Sequence, residues 1–176
     1  AILTGGRPLS ESMKSAGGGS TAASCSEIDL ALGPDHQDCD VADAKEYELH
    51  PQWQSELRYE PSGQLSMDRS AYKAVVNEDG RLTNLEGELL GAGQGPDGQT
   101  CMYCVDPEGN LFVNYETHDK SSGRPLRHPA LVGGGPVIAA GEMLISDGVL
   151  CIISNCSGHY RPLPSSLHVV RSLMRQ

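Results

Sequence analysis

Cations, aromatic rings and long apolar runs are all scarce in this chain, and each shortage narrows what it can be. Aromatic residues make up 5% of the 176, with one Phe and one Trp, so burial falls to Leu, Val, Ile, Ala and Met rather than to stacked rings. Lys and Arg number 13 against 23 Asp and Glu, a formal net charge of -10. A surface of that sign repels nucleic acid and anionic lipid, which reward clustered cations, so neither is expected as a partner. No apolar stretch approaches the roughly 20 residues that span a bilayer, and the first residues lack the basic-then-apolar profile of a signal peptide. The expectation is a soluble protein with one domain, since a chain of this size encloses one core. It opens on Ala1 rather than Met, which reads as an excised domain or a processed product.

Six cysteines are present: Cys25, Cys39, the pair Cys101 and Cys104, then Cys151 and Cys156. The two later pairs have the count for a four-thiolate zinc site, but the spacing from Cys151 to Cys156 falls in a strand-like stretch rather than a knuckle. Buried free thiols are expected ahead of disulfides, and further ahead of zinc.

Along the chain, residues 1–24 are rich in Gly and Ser, including Gly17-Gly18-Gly19-Ser20, and are expected to form a flexible arm. Residues 25–176 are expected to form the domain. Ile28, Leu30 and Leu32 alternate before the turn residues Gly33-Pro34-Asp35, a pattern that fits a short strand or one helical turn. Residues 38–48 read as an acidic loop. A helix start at residues 66–69 runs into β-branched Val75 and Val76 and then into the turn Asn77-Glu78-Asp79-Gly80. Residues 91–98 are too glycine-rich for a regular element. Two hairpins follow: residues 100–105 and 110–115 around Asp106-Pro107-Glu108-Gly109, then residues 136–145 and 149–154 around Ser146-Asp147-Gly148. Leu167, Val170, Leu173 and Met174 stand at helical spacing after Pro162 and Pro164, predicting a closing helix. The fold class is α+β: mainly an antiparallel sheet with a few packed helices.

A cluster of Lys120, Arg124, Arg127 and His128 precedes a glycine-rich run and reads as a solvated edge. The run itself is His128-Pro129-Ala130-Leu131-Val132-Gly133-Gly134-Gly135, continuing through Ala139-Ala140-Gly141-Glu142, Asp147-Gly148-Val149-Leu150 and Ser157-Gly158-His159-Tyr160-Arg161-Pro162. It resembles the C-terminal signature of the plant IQM family, the IQ-motif calmodulin-binding proteins, with fungal relatives and relatives in bacterial effector and toxin domains. That signature reads approximately H-S-S-F-L-x-G-G, A-A-G-[RE], x-x-G-x-L and S-G-H-Y-x-P. Register is kept without a gap from His128 to Gly141, and the last block matches letter for letter. Upstream, Asp68-Arg69-Ser70-Ala71-Tyr72 with Val75, Val76 and Gly80 is similar to the family's E-R-x-x-Y-x-V-x-V-x-x-G segment, and Leu111-Phe112-Val113 sits where the family has a strand. Pro129 and Ala130 stand in place of the two serines after the histidine, and the IQ motif is missing, so calmodulin binding does not carry over.

Candidate site residues follow from chemistry. His128 precedes Gly133, Gly134 and Gly135, whose backbone amides are able to form a nest for a phosphate or pyrophosphate; a bend or bulge between strands is the competing reading. His159 and Tyr160 offer a general acid or base and a stacking surface, or else a hydrogen-bonded corner before Pro162. Glu142 is the carboxylate expected to join them, beside small residues that leave room for a neighbouring backbone or a ligand. Asn155 is a secondary candidate and Arg161 a cofactor-binding one, while Asp35 and His36 read as a surface turn.

The resemblance implies a secreted effector- or toxin-type catalytic domain, delivered into a target cell. It would act on a nucleotide or nucleotide-bearing substrate through His128, Glu142, His159 and Tyr160, against a host or target protein and with a cognate inhibitor as a further partner. Two alternatives stand beside it: an ADP-ribosyltransferase using NAD as cofactor, suggested by a His and Tyr pair, and a non-catalytic protein-interaction module.

Overall fold

A computed structural model describes residues 27–29, 41–51, 69–93, 99–116 and 126–175. The expected arm at residues 1–24, the turn at Asp35 and His36 and the centre of the glycine-rich loop at 94–98 lie outside these. Seven strands appear among the described residues: β1 Glu27–Asp29, β2 Lys73–Val76, β3 Leu82–Thr83, β4 Gln99–Val105, β5 Leu111–Asn114, β6 Ala139–Ser146 and β7 Val149–Ser154. They join antiparallel in the order β1-β7-β6-β4-β5-β2-β3. Helices α1 His128–Leu131 and α2 Leu167–Leu173 accompany them, with short 3-10 turns at Val41–Asp43, Arg69–Tyr72 and Pro164–Ser166. The expected α+β class, mainly antiparallel sheet with few helices, describes this arrangement.

Turn chemistry sets both hairpins. Between β4 and β5 the Asp106 carboxylate accepts from the Asn110 backbone amide at 2.8 Å, and Gly109 takes φ 81°, a value that a side chain rarely allows. Between β6 and β7, Asp147 and Gly148 sit at φ 47° and 76°, the paired left-handed geometry that matches strand twist in a two-residue turn. Opposite Leu144 and Ile145 the register skips Cys151, which marks a bulge in β7. Ile28 lies in a strand, so the choice left open there resolves toward β1, which pairs Glu27 with Ser154.

Strand alternation sends residues to two faces, and both are covered. Cys101, Tyr103, Val105, Leu111, Val113, Met143 and Ile145 form one core with Leu167, Val169 and Val170 of α2. Val169 and Val170 are fully buried, and each such side chain contributes about 1.5–3 kcal/mol, so α2 is part of the core rather than a decoration on it. On the opposite face Cys104, Phe112 and Ala140 meet Leu131, Val132, Val137, Tyr47, Leu49 and Tyr160. Double coverage explains why all four residues of β5 are buried. At one end the sheet curls back: the Leu82 amide donates to the Gly148 carbonyl at 2.7 Å and the Gly148 amide to the Leu90 carbonyl at 2.7 Å, tying β3 to the β6–β7 turn.

The cysteines divide differently from expectation. Cys101 and Cys104 are buried free thiols and half-buried Cys151 is outside any disulfide, but Cys156 is disulfide-bonded. Being odd and even members of one strand, Cys101 and Cys104 point to opposite faces, where their Sγ atoms donate to the carbonyls of Met143 and His128. They form no knuckle, and no group of three or more metal-ligating side chains occurs among the described residues. No helix among those residues is long and apolar enough to cross a membrane.

Candidate functional site

The site forms where α1, the middle of β6 and the turn after β7 meet on one face of the sheet. Arg127 is extended, at φ -131° and ψ 163°, and Pro129 opens the helix, where a missing N–H costs nothing. Gly133 and Gly134 close the helix at φ 63° and 77°; the Gly134 amide donates to the Pro129 carbonyl at 2.8 Å and the Gly135 amide to the Val132 carbonyl at 3.2 Å. Arg69, from the upstream segment of the signature, donates to the same Val132 carbonyl at 3.3 Å. The amides of Gly134 and Gly135, assigned from sequence to a phosphate nest, are thus engaged in ending the helix, and the bend is what they build.

Within this short helix His128 is buried, and its Nε2 lies 2.9 Å from the Gly141 carbonyl oxygen. A carbonyl only accepts, so Nε2 carries the proton and donates. Burial pushes the imidazole down to about 4, with Arg127 acting in the same direction and the Gly141 hydrogen bond opposing them. Half-buried His159 is likewise lowered to about 4, first by burial and then by the charges of His128 and Arg127. The structure therefore brings the two histidines within electrostatic reach of each other. Both are neutral at pH 7, and bases of that strength, one with its donor already engaged, are poorly matched to proton transfer near neutrality.

Gly141 explains the small residues around it. A Cβ at this position would collide with the Ser154 carbonyl oxygen and crowd the Asn155 Cα. That carbonyl accepts from the Tyr103 hydroxyl at 3.0 Å, and Tyr103 is the register partner of Gly141 on β4. The room left beside Ala139 and Ala140 is filled by backbone. Glu142 follows on the face of Ala140, half-buried beside its register partner Met102, and its charge acts on the Cys101 thiol.

The turn after β7 is a hydrogen-bonded corner. The Arg161 amide donates to the Ser157 carbonyl at 2.8 Å, the Asn155 side-chain amide to the Pro162 carbonyl at 2.8 Å, and the buried Tyr160 hydroxyl to the Gly135 carbonyl at 2.7 Å. Burial raises the Tyr160 hydroxyl well above its usual range, so it stays a donor. Arg161 takes φ 50°; its Nε donates to the Gly158 carbonyl at 3.2 Å and its Nη1 lies 3.3 Å from His50 Nε2. The His50 amide in turn donates to the His159 carbonyl at 2.9 Å. Sequence reasoning missed His50, Tyr103 and Ser154: the first closes an acidic stretch with no motif, and the other two sit in ordinary strand patterns.

Residues 68–167, more than half of the chain, match the family model of the IQ motif-containing protein middle domain. The chain belongs to this IQM middle-domain family. It is 32% identical over 124 residues to IQ domain-containing protein IQM1 of Arabidopsis thaliana, covering 70% of this chain and 24% of that protein. It is 30% identical over 109 residues to IQ domain-containing protein IQM3 of the same plant, covering 62% and 23%. With IQM4 the identity is 27% over 138 residues, covering 78% and 24%. The chain thus spans about a quarter of the length of these curated relatives. No solved structure matches. The IQM assignment bears out the family resemblance but overturns the functional expectation attached to it: relatives named as IQ domain-containing proteins do not support a secreted effector or toxin, nor an ADP-ribosyltransferase.

Proposed function

We propose that this IQM middle domain is a non-catalytic protein-interaction module. The observation that supports it best is the fate of the polar groups a catalytic site would need at liberty. His128 Nε2 is engaged by the Gly141 carbonyl and the Tyr160 hydroxyl by the Gly135 carbonyl, while the Gly134 and Gly135 amides cap α1. The two side-chain bonds hold one part of the domain against another and the two amide bonds close α1, which gives a stiff surface rather than a reacting centre. The relatives' names, IQ domain-containing proteins, point toward assembly with a protein partner. The given sequence contains no Ile-Gln pair, so what this stretch of chain itself offers a partner is its folded surface.

The test pairs binding with turnover. The immobilised full chain should retain a defined protein saturably from extract, and lose it when the chain is unfolded beforehand. The purified chain should leave NAD and ATP unchanged over hours. Consumption of either nucleotide, abolished by His159→Ala without loss of fold, would refute the module reading.

A further inference from the structure

We propose that the disulfide of Cys156 runs to Cys25 and forms a thiol-controlled clasp that holds β1 on the edge of β7. The inference stands apart from the interaction-module reading and does not rest on it. Elimination gives the first step. Cys101, Cys104 and Cys151 are outside any disulfide, so within the chain Cys156 is joined to Cys25 or to Cys39, both of which lie outside the described residues.

Register chooses between them. β1 pairs Glu27 with Ser154, Ile28 with Ile153 and Asp29 with Ile152, so each step back along β1 is one step forward along β7. Counted on by two residues, that ladder sets position 25 against position 156. Residues opposite each other in an antiparallel pair have Cα atoms about 4.5–5.5 Å apart, inside the roughly 4.4–6.8 Å that a disulfide spans. Cys39 belongs to a different neighbourhood. It precedes by two residues Val41, whose Cγ1 would touch a Cβ at Gly109 in the β4–β5 turn, and β6 separates β4 from β7.

The two sides of the clasp are held unequally. Asn155 and Ser157, which flank Cys156, are buried and belong to the corner: the first donates to the Pro162 carbonyl at 2.8 Å, and the second accepts from the Arg161 amide at 2.8 Å. β1 is three residues long, stands at the end of the strand order and has β7 as its one neighbour among the described residues. So short a strand gains few hydrogen bonds for the backbone freedom it gives up. A covalent tie two residues from Glu27 removes much of that freedom beforehand, so the tie decides whether β1 stays in place.

Cys156 is half-buried rather than enclosed, which leaves the clasp open to a small dithiol. One thiolate of the dithiol attacks the S–S bond and releases one cysteine sulfur; its second thiol then displaces the other. Two electrons and two protons pass to the cysteines, which end as thiols, and the dithiol ends as a disulfide. β1 then keeps only its ladder bonds to β7.

The experiment maps the bond and then follows β1. Free thiols of the unreduced full chain are alkylated, the chain is cut after acidic residues, and linked peptides are sequenced by fragmentation. Cuts at Glu27, Asp29, Asp35 and Asp38 part Cys25 from Cys39. Cys156 should be found joined to the Cys25 peptide. Hydrogen exchange is then compared with and without dithiothreitol. In the reduced chain the β1 amides should exchange about tenfold faster or more, while those of Val105 and Ala140 at the sheet centre stay protected over the same interval. Cys25→Ser should show the same release without reductant, and Cys39→Ser should exchange as wild type does. A bond from Cys156 to Cys39 or to a second copy of the chain, β1 amides unaffected by dithiothreitol, or release of β1 in Cys39→Ser would overturn the proposal. Should Cys25→Ser fail to fold, the mapped bond and the exchange of the reduced wild-type chain decide the matter.

Discussion

Tyr103 and Gly141 stand opposite each other across β4 and β6, and the phenol of the first caps the Ser154 carbonyl that the second, having no side chain, admits. A methyl group at 141 would meet main chain, which cannot swing aside as a flexible side chain can. Gly141→Ala should therefore lose about 4 kcal/mol or fail to fold. Gly158→Ala, where nothing lies within reach of a new Cβ, should stay within about 0.5 kcal/mol of wild type. Urea denaturation of the two variants makes the comparison, and equal midpoints would refute it.

Removing the phenol tests the same contact from the other side. Tyr103→Phe keeps the buried ring but strips the donor from the Ser154 carbonyl, with an expected loss of about 1–3 kcal/mol. Tyr160→Phe does the same to the Gly135 carbonyl in a less enclosed place and should cost about 1 kcal/mol. A larger loss at 160 than at 103 would reverse the assignment of which bond closes the core.

Stability should depend on the two histidines in a defined direction. Their folded values lie near 4, below the roughly 6.5 of an unfolded histidine, so between those limits the unfolded chain binds protons that the folded one refuses. The contribution is complete above about pH 6.5 and is lost as pH falls toward 4. For buried His128 it amounts to something on the order of 3 kcal/mol, shared with His159 because the two titrate as a pair. Denaturation midpoints at pH 7, 5.5 and 4.5 should fall more steeply for wild type than for His128→Gln, and parallel lines would refute the pairing.

Thiol chemistry should distinguish the cysteines. Burial raises the Cys101 and Cys104 thiols, so both should resist alkylation in the folded protein while half-buried Cys151 reacts. Reduction of the Cys156 disulfide should lower stability by about 2–4 kcal/mol. Peptide mapping after brief iodoacetamide treatment, with and without reductant, reads both effects.

The legible parts of the fold were those written in adjacent residues. Asp106 to Gly109 and Asp147-Gly148 announce tight turns because the conformations they need are local, and the spacing of Leu167, Val170 and Leu173 announces α2 for the same reason. The pairing of Glu27 with Ser154 has no local signature, since its register is set by chain segments far apart in sequence. At the site, the signature led to the right family, and the structure brings two of its residues, His128 and His159, within electrostatic reach of each other. What they do is not legible locally, because a histidine before glycines looks identical whether its proton faces a ligand or, as at His128, the carbonyl of Gly141. His50 was invisible: its importance comes from Arg161, 111 positions away.

The strand order also bears on how this protein is best handled. Cutting at the limits of the family match, 68 and 167, would discard β1 and all of α2 except its first residue. β7 would then show a raw hydrogen-bonding edge, and the apolar bed vacated by Val169 and Val170 would lie open to water. Such a fragment would stick to copies of itself, and the resulting clumps would report where the scissors fell rather than any native assembly.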